Sequence, residues 1–399
     1  VQWLSGKKIS CVPLLVSCVL LLLSASLAAG AEANRSTPSF DHLHVDALDA
    51  DAWNGVVFAA QAFRQPSDFA FRFGSFSQTF IDGPAIFDSV REVGPHAPDA
   101  SYCRMSWAVP PRNALITLEW SRIDETTVVG TITADSDFQI VLETYIPLAG
   151  TLWGLPGVYA VEANKQAIVG ERYFDGVFGL SSQFVAMIDR PTMGSGTYPS
   201  VDQLRDTMKN AGVLVDSIDS DPSRNSAGLQ FVTGQSRTAH FVATLGWNKQ
   251  ELLERARGLL APGKIDTLLK EKSEAYSRRR PAAEGLFAGA PDAIGNNMFW
   301  NTLYAPRQDL VFPSISRKWA HGAGWVLGEW DGFFGSLLTS LEDKDQSLAT
   351  IRALLLAQTE SGLIPNGVTG AGTSPDRSQP PVGAYCVWKC CSAIPTTKC

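Results

Sequence analysis

Basic residues are not in excess: 33 Lys and Arg stand against 40 Asp and Glu, a net charge of −7. That balance argues against nucleic acid or another polyanion as the main partner. Histidine is scarce, with 5 in 399 residues. His42 and His44 alternate without a third ligand, the pattern of a surface strand rather than of a metal site. No C-x-x-C pair occurs; Cys11 and Cys18 lie early, Cys103 is alone, and Cys386, Cys390, Cys391 and Cys399 crowd the end. Neither a disulfide framework nor a structural zinc site fits that layout. G-x-S-x-G and H-E-x-x-H are both missing, so serine-hydrolase and zincin chemistry have no sequence support. Gly258 to Lys264 matches the first seven positions of a phosphate-binding loop, yet Ile265 stands where a Ser or Thr must hold magnesium, and a helix precedes it instead of a strand. No cofactor and no metal are expected. What is present is aromatic: 11 Trp and 20 Phe, with 45% hydrophobic and 18% charged residues, the composition of a folded chain that acts on a neutral or small substrate. The length suits roughly two or three domains.

Lys7 and Lys8 precede an uncharged run from Ile9 to Ala31 that contains Leu20 to Leu23, and Ala31-Glu32-Ala33 closes it. This is the layout of an export signal, cleaved after Ala33, and implies a secreted or periplasmic protein with no membrane contact beyond that signal. Two alternatives stay open: an uncleaved span, and the lipobox-like Leu15-Val16-Ser17-Cys18. Val1 in place of Met suggests an alternative start codon or a missing first residue. Asn34-Arg35-Ser36 is a glycosylation sequon where the source makes such modifications.

From residue 34 to 246 short alternating segments recur between turn residues. Ile116 to Trp120, Thr127 to Ile132, Phe138 to Ile146, Leu229 to Val232 and Ala239 to Ala243 predict antiparallel strands with one wet face, spaced as in a single β-sandwich. A short helix is expected over Val201 to Ala211. After Gly246 the period becomes helical, with Leu252, Leu253, Ala256, Leu259 and Leu260 on one stripe and Leu268, Leu269 and Tyr276 continuing it, so 247–290 reads as a helical linker. Beyond it, helices are predicted from a cap at Asp292 to Tyr304, from Asp331 through Phe334 and Leu338, and from Asp345 to Glu360 with Gly362 as its stop.

The densest functional segment is Trp319 to Trp388. Gly328-Glu329-Trp330-Asp331-Gly332-Phe333-Phe334 places a carboxylate between aromatic neighbours at a helix start. Rings bind sugar faces and lower local polarity, and desolvation raises a carboxyl pKa until it serves as a proton donor near neutral pH. The plain alternative is that Asp331 caps the helix. Ser361-Gly362-Leu363-Ile364-Pro365-Asn366-Gly367 and Ser378-Gln379-Pro380-Pro381-Val382-Gly383-Ala384-Tyr385 follow in order.

With Trp-Asp-Gly-Phe-Phe these motifs resemble glycoside hydrolase family 63 and its relatives, among them mannosylglycerate-type hydrolases and processing α-glucosidases. The resemblance covers Asp292 to Lys389 well and the earlier strands more loosely. It implies an N-terminal antiparallel β-sandwich followed by the first helical hairpins of an (α/α)6 toroid, occupying 291–389. It also implies an inverting glycosidase that cleaves an α-glycosidic bond of an oligosaccharide or small glycoside, with Asp331 as general acid. Trp330, Phe334, Gln358, Asn366, Gln379 and Trp388 would line the sugar pocket. For each a simpler role exists: Phe334 and Trp388 as core, Gln358 at a helix end, Asn366 in a turn. Glu329 is the rival carboxylate, but adjacent residues at a helix start point in different directions, and the family places its acid after Trp.

Inversion needs a second carboxylate, which the family carries late in the toroid, and about a hundred residues are too few for twelve helices. The base is therefore expected to lie outside this chain and the fragment to be inactive, with 390–399 as an aberrant tail. A frameshift near Lys389 would produce both features. The competing readings are a non-catalytic carbohydrate-binding protein and another six-hairpin glycosidase such as a trehalase or debranching-type glucosidase. The sequence assigns no oligomeric state.

Overall fold

The computed structural model describes residues 51–52, 57–60, 65–76, 80–82, 90–109, 114–124, 126–135, 139–145, 157–162, 165–173, 181–215, 224, 226–280, 283–299, 301–305, 310–314, 326–369, 373–374 and 376–392. The leader and its cleavage site, the sequon, the lipobox, His42, His44 and the tail from 393 lie outside them.

Alternating, β-branched segments form two large antiparallel sheets. The first has eight strands in the order 157–162, 167–173, 181–188, 238–246, 127–134, 114–124, 103–109 and 90–96. The second runs 192–198, 226–232, 139–145, 65–76 and 57–60, with 80–82 also paired to 65–76. Period-two alternation sends Ile116, Leu118, Trp120 and Phe184 from the first and Ile140, Leu142, Leu229 and Phe231 from the second into one core. Trp120, Phe184 and Phe231 are fully buried there.

The expected wet face is absent from much of the eight-stranded sheet. Along Thr127–Ala134 nearly every residue is buried. Val128 faces the shared core, while Val129 packs with Val185 and Val242 against Leu252, Leu253 and Ala256 of helix Lys249–Leu259 and Ile265 and Leu269 of helix Lys264–Arg279. The apolar stripe read after Gly246 thus covers a sheet face. Helix Val201–Ala211, capped by the Ser200 side chain, covers Val141 of the second sheet with Leu204 and Met208.

A charged relay pins the Lys264 helix. His240 Nδ1 lies 2.7 Å from Asp189 Oδ2, and its Nε2 lies 3.0 Å from Asp266 Oδ1 on the helix. The hydrogen bond to Asp189 lifts the imidazole pKa above its ordinary value, burial opposes it, and Asp266 adds to the rise. Burial by itself would raise the Asp189 carboxyl, but hydrogen bonds from His240 hold it below the usual range.

The later helices differ from expectation at their ends. The helix assigned to Asp292–Tyr304 spans Ala290–Phe299, with Asp292 inside its first turn and paired with Arg280. It stops because Asn301 Nδ2 and Thr302 Oγ1 donate to the carbonyls of Asn297 and Phe299, 2.9 and 2.7 Å away. Thr302–Ala305 is then a strand, paired with Leu310–Pro313 and, on its other side, with Asp51–Ala52. Helix Glu329–Thr339 follows strand Val326–Gly328, and helix Lys344–Leu356 is capped by Asp343. Gly362, at φ +87°, makes a turn beyond the end of that helix rather than ending it. Strand Gly367–Thr369 pairs with Val326–Gly328, and helix Gly383–Ser392 comes last. Leu303, Phe312, Leu327, Phe333, Leu354, Val368 and Cys386 form the core of this part, so short strands share it with the helices.

The two parts meet at residues 94–102. The His96 N–H donates to Asn296 Oδ1 at 3.1 Å, and Gln346 Nε2 donates to the Pro98 carbonyl. Gly94, at φ +114°, has the Asn296 side chain where a Cβ would sit, 2.2 Å away, so any side chain there is strained and must displace Asn296. Seven α-helices occur among the described residues, and none of these is long and apolar enough to cross a membrane.

Candidate functional site

The chain enters the Glu329 helix through Gly328, in extended conformation and with no side chain to cap it. The open N–H groups of the first turn are met from elsewhere. Glu329 N–H donates to the Asn366 carbonyl at 3.1 Å, and Trp330 N–H donates to Gln379 Oε1 at 2.8 Å. Asn366 is itself held by its N–H to the Arg377 carbonyl at 2.9 Å. Capping therefore falls to a loop some forty residues on, and the reading of Asp331 as helix cap is corrected: the helix begins two residues earlier. Asp331 is half-buried in the first turn, and among the described residues no hydrogen bond or ion pair engages its carboxylate.

Its neighbours divide by helical direction. Trp330 and Phe334, four apart, are 39% and 40% exposed, with ring centroids 6.3 Å apart and planes at 60°. Phe333, turned inward from them, is buried against Gly383, where a Cβ would come within 2.7 Å of the ring. Glu329 shares that inner face and is 3% exposed. Burial pushes its carboxyl pKa up, a hydrogen bond from the Gln379 N–H draws it back, and the charge of Asp331 adds to the rise. Its Oε2 has no hydrogen-bond partner among the described residues.

Of the residues singled out in the sequence, Trp330, Asp331, Phe334, Asn366 and Gln379 gather at this helix start. Gln358 Nε2 donates to the Gly362 carbonyl at 2.8 Å in its own loop. Trp388 stands exposed beside Tyr385, ring centroids 6.2 Å apart, with Lys389 Nζ 4.7 Å over its ring. The burial of Glu329 was missed, although its i,i+4 spacing to Phe333 marks the inner face. Among the described residues no group of three His, Cys, Asp or Glu is arranged to hold a metal. Chemically, the arrangement offers a half-buried carboxylate in the first turn of a helix that also exposes a pair of contacting rings, at a helix end whose N–H groups favour negative charge.

No family model matches the sequence, and no curated protein matches it. Solved structures do. A bacterial glucoamylase complexed with acarbose has a TM-score of 0.51 at 11% identity, over 84% of this chain and 54% of that one. An inverting mannosidase of family GH92 from Bacteroides thetaiotaomicron has 0.34 at 10% identity, over 86% and 55%. A family GH92 alpha-mannosidase from the same organism has 0.37 at 10%, over 78% and 44%. The last two scores are too low to bear on the fold. The first shows a likeness of fold, and the chain spans about half the length of the solved structures it matches.

Proposed function

We propose that this chain carries the acid side of an inverting α-glycoside hydrolase site. The reading places a β-sandwich at 34–246, linking helices at 247–290 and the opening hairpins of an (α/α)6 toroid of the family 63 kind at 291–389. It also keeps an exported protein, secreted or periplasmic. The observation that carries it is Asp331: its helix is capped by other residues, its carboxylate is unengaged among the described residues, and the same helix exposes the contacting Trp330 and Phe334 rings. The glucoamylase likeness supports the fold and lends the sugar by analogy.

Bound across Trp330 and Phe334, a sugar would present its C–H face to the rings. Asp331 gives its proton to the glycosidic oxygen as the bond breaks, and a second carboxylate, roughly 6.5–9.5 Å away, takes a proton from the attacking water on the other face. Trp330, Phe334, Gln358, Asn366, Gln379 and Trp388 make up the pocket in this reading.

Asp331→Asn keeps the shape and removes the acid. In a folded variant of an enzyme that joins this chain to the second carboxylate, turnover of an α-linked disaccharide should fall by ~10²- to 10⁴-fold, and that of an activated aryl α-glycoside much less. Near-wild-type turnover of the disaccharide by Asp331→Asn overturns the assignment. Acarbose titration followed by tryptophan fluorescence reads binding apart from turnover. Saturable binding that Trp330→Ala removes, without turnover even when the second carboxylate is supplied, would mark a carbohydrate-binding protein instead.

A further inference from the structure

We infer that the cleft between helix Lys264–Arg279 and the outer face of the eight-stranded sheet is a ligand site apart from the one at Asp331. Its ligand is a small zwitterion that carries an ammonium and a carboxylate, the class of a free amino acid. The cleft has a volume of about 320 Å³ and shares no residue with the Glu329 helix. Glu119 and Thr131, directly opposed on neighbouring strands, line its sheet side with their side chains abreast. Asp266, Leu269, Lys270, Ser273 and Glu274 line the other side, and their i, i+3, i+4, i+7, i+8 spacing puts all five on one helix face.

Thr131 carries the inference. Strand Thr127–Ala134 turns Thr127, Thr131 and Thr133 toward this outer face. Thr127 bonds Thr244 at 3.0 Å and Thr133 bonds Thr238 at 3.3 Å, hydroxyl to hydroxyl across one strand pair. Between them Thr131 faces His240, whose two ring nitrogens are taken by Asp189 and Asp266. Its hydroxyl therefore has no hydrogen-bond partner among the described residues, although Thr131 is only 7% exposed and lines the cleft. A hydroxyl so buried is costly without a partner, and a ligand supplies one.

The charges around it define that ligand. Asp266 is engaged by His240, and Glu274 lies 3.9 Å from Arg278. Arg104, opposite Glu119 on the next strand, pairs with Glu92 at 2.9 Å. Glu119 accepts the hydroxyl of the buried Tyr102 on Oε1 at 2.8 Å, which fixes the carboxylate and leaves Oε2 open. Lys270 has no ion pair among the described residues. What stays open is one carboxylate oxygen, one hydroxyl and one ammonium. An incoming ammonium, which only donates, matches Glu119 and Thr131, and an incoming carboxylate matches Lys270. The buried Leu269 side chain meets the carbon stem between them. A neutral sugar would leave both charges without a counterpart, and no aromatic ring lines the cleft to stack on one.

The test screens the full chain against each standard amino acid by its effect on Tm. The strongest is then titrated by calorimetry beside its methyl ester and its N-acetyl form. At least one amino acid should bind saturably. The ester lacks the carboxylate and the N-acetyl form lacks the ammonium, so each should bind about tenfold or more weakly, the worth of a hydrogen bond to a charged group. Glu119→Gln and Lys270→Met should weaken the amino acid by as much, and Thr131→Val by ~3- to 10-fold. Lys270 is exposed, so its variant keeps the fold, and it should erase the preference for acid over ester while keeping that for free amine over N-acetyl. Trp330→Ala should leave all of this unchanged. Absence of saturable binding by every amino acid, esters and N-acetyl forms that bind as tightly as the parent, or binding untouched by Lys270→Met overturns the site. Loss of binding in folded Trp330→Ala overturns it as well, by placing the ligand elsewhere.

Discussion

Strand Thr127–Ala134 and helix Glu329–Thr339 each carry apolar residues on two faces, with opposite outcomes. Val128 enters the core between the sheets and its neighbour Val129 packs under helices, both at 2% exposure or less. On the helix Phe333 is 2% exposed, whereas Phe334 beside it is 40% exposed, and Trp330, Leu338 and Leu341 extend the same open stripe. The first element is spent on stability. The second leaves Trp330, Phe334, Leu338 and Leu341 exposed, with the Asp331 carboxylate in its first turn.

The largest test of that contrast is a pair of tryptophans. Trp120→Ala empties a fully buried site and should cost about 3–5 kcal/mol by urea unfolding, while Trp330→Ala should cost under about 1 kcal/mol and remove sugar binding. Equal losses would erase the distinction. Next is the seam between the parts: Gly94→Ala meets both a forbidden φ and the Asn296 side chain, and should cost about 1–3 kcal/mol, read as a lowered Tm. Smaller again is a pH effect on the Lys264 helix. His240 has a raised pKa, so its contribution is complete below the ordinary histidine range and is lost as pH rises through the raised value. Tm should therefore fall from about pH 6 upward, and that fall should be missing from His240→Gln. The smallest expected effect is at Leu341, where Ser should change unfolding free energy by less than about 0.5 kcal/mol, since the side chain is 58% exposed.

The strands were legible because alternation of β-branched residues is a local signal: the segments read at Ile116, Thr127, Leu229 and Ala239 fall within strands, and the one read from Phe138 to Ile146 contains strand Gln139–Tyr145, its two end residues lying outside the described residues. The helix expected from Asp345 begins at Lys344, as its Asp343 cap dictates. The covered outer face of the eight-stranded sheet was not legible, since Val129 reads the same whether water or Leu252 lies above it. Thr302–Ala305 was missed because its partner strands lie at 310–313 and 51–52, and four residues carry no period of their own. At the site, Trp330, Asp331 and Phe334 stand out by composition, but the bond from Trp330 to Gln379 joins residues that no local rule connects.

That bond also orders events during synthesis. A helix capped by its own preceding residue can close as soon as it leaves the ribosome. The Glu329 helix cannot, because Asn366 and Gln379 are made later and must first emerge. Until then its leading turn has open N–H groups beside bare Trp330 and Phe334. A nascent chain paused before Gln379 would be the form of this protein that chaperones meet with its aromatic stripe showing and its first turn unheld.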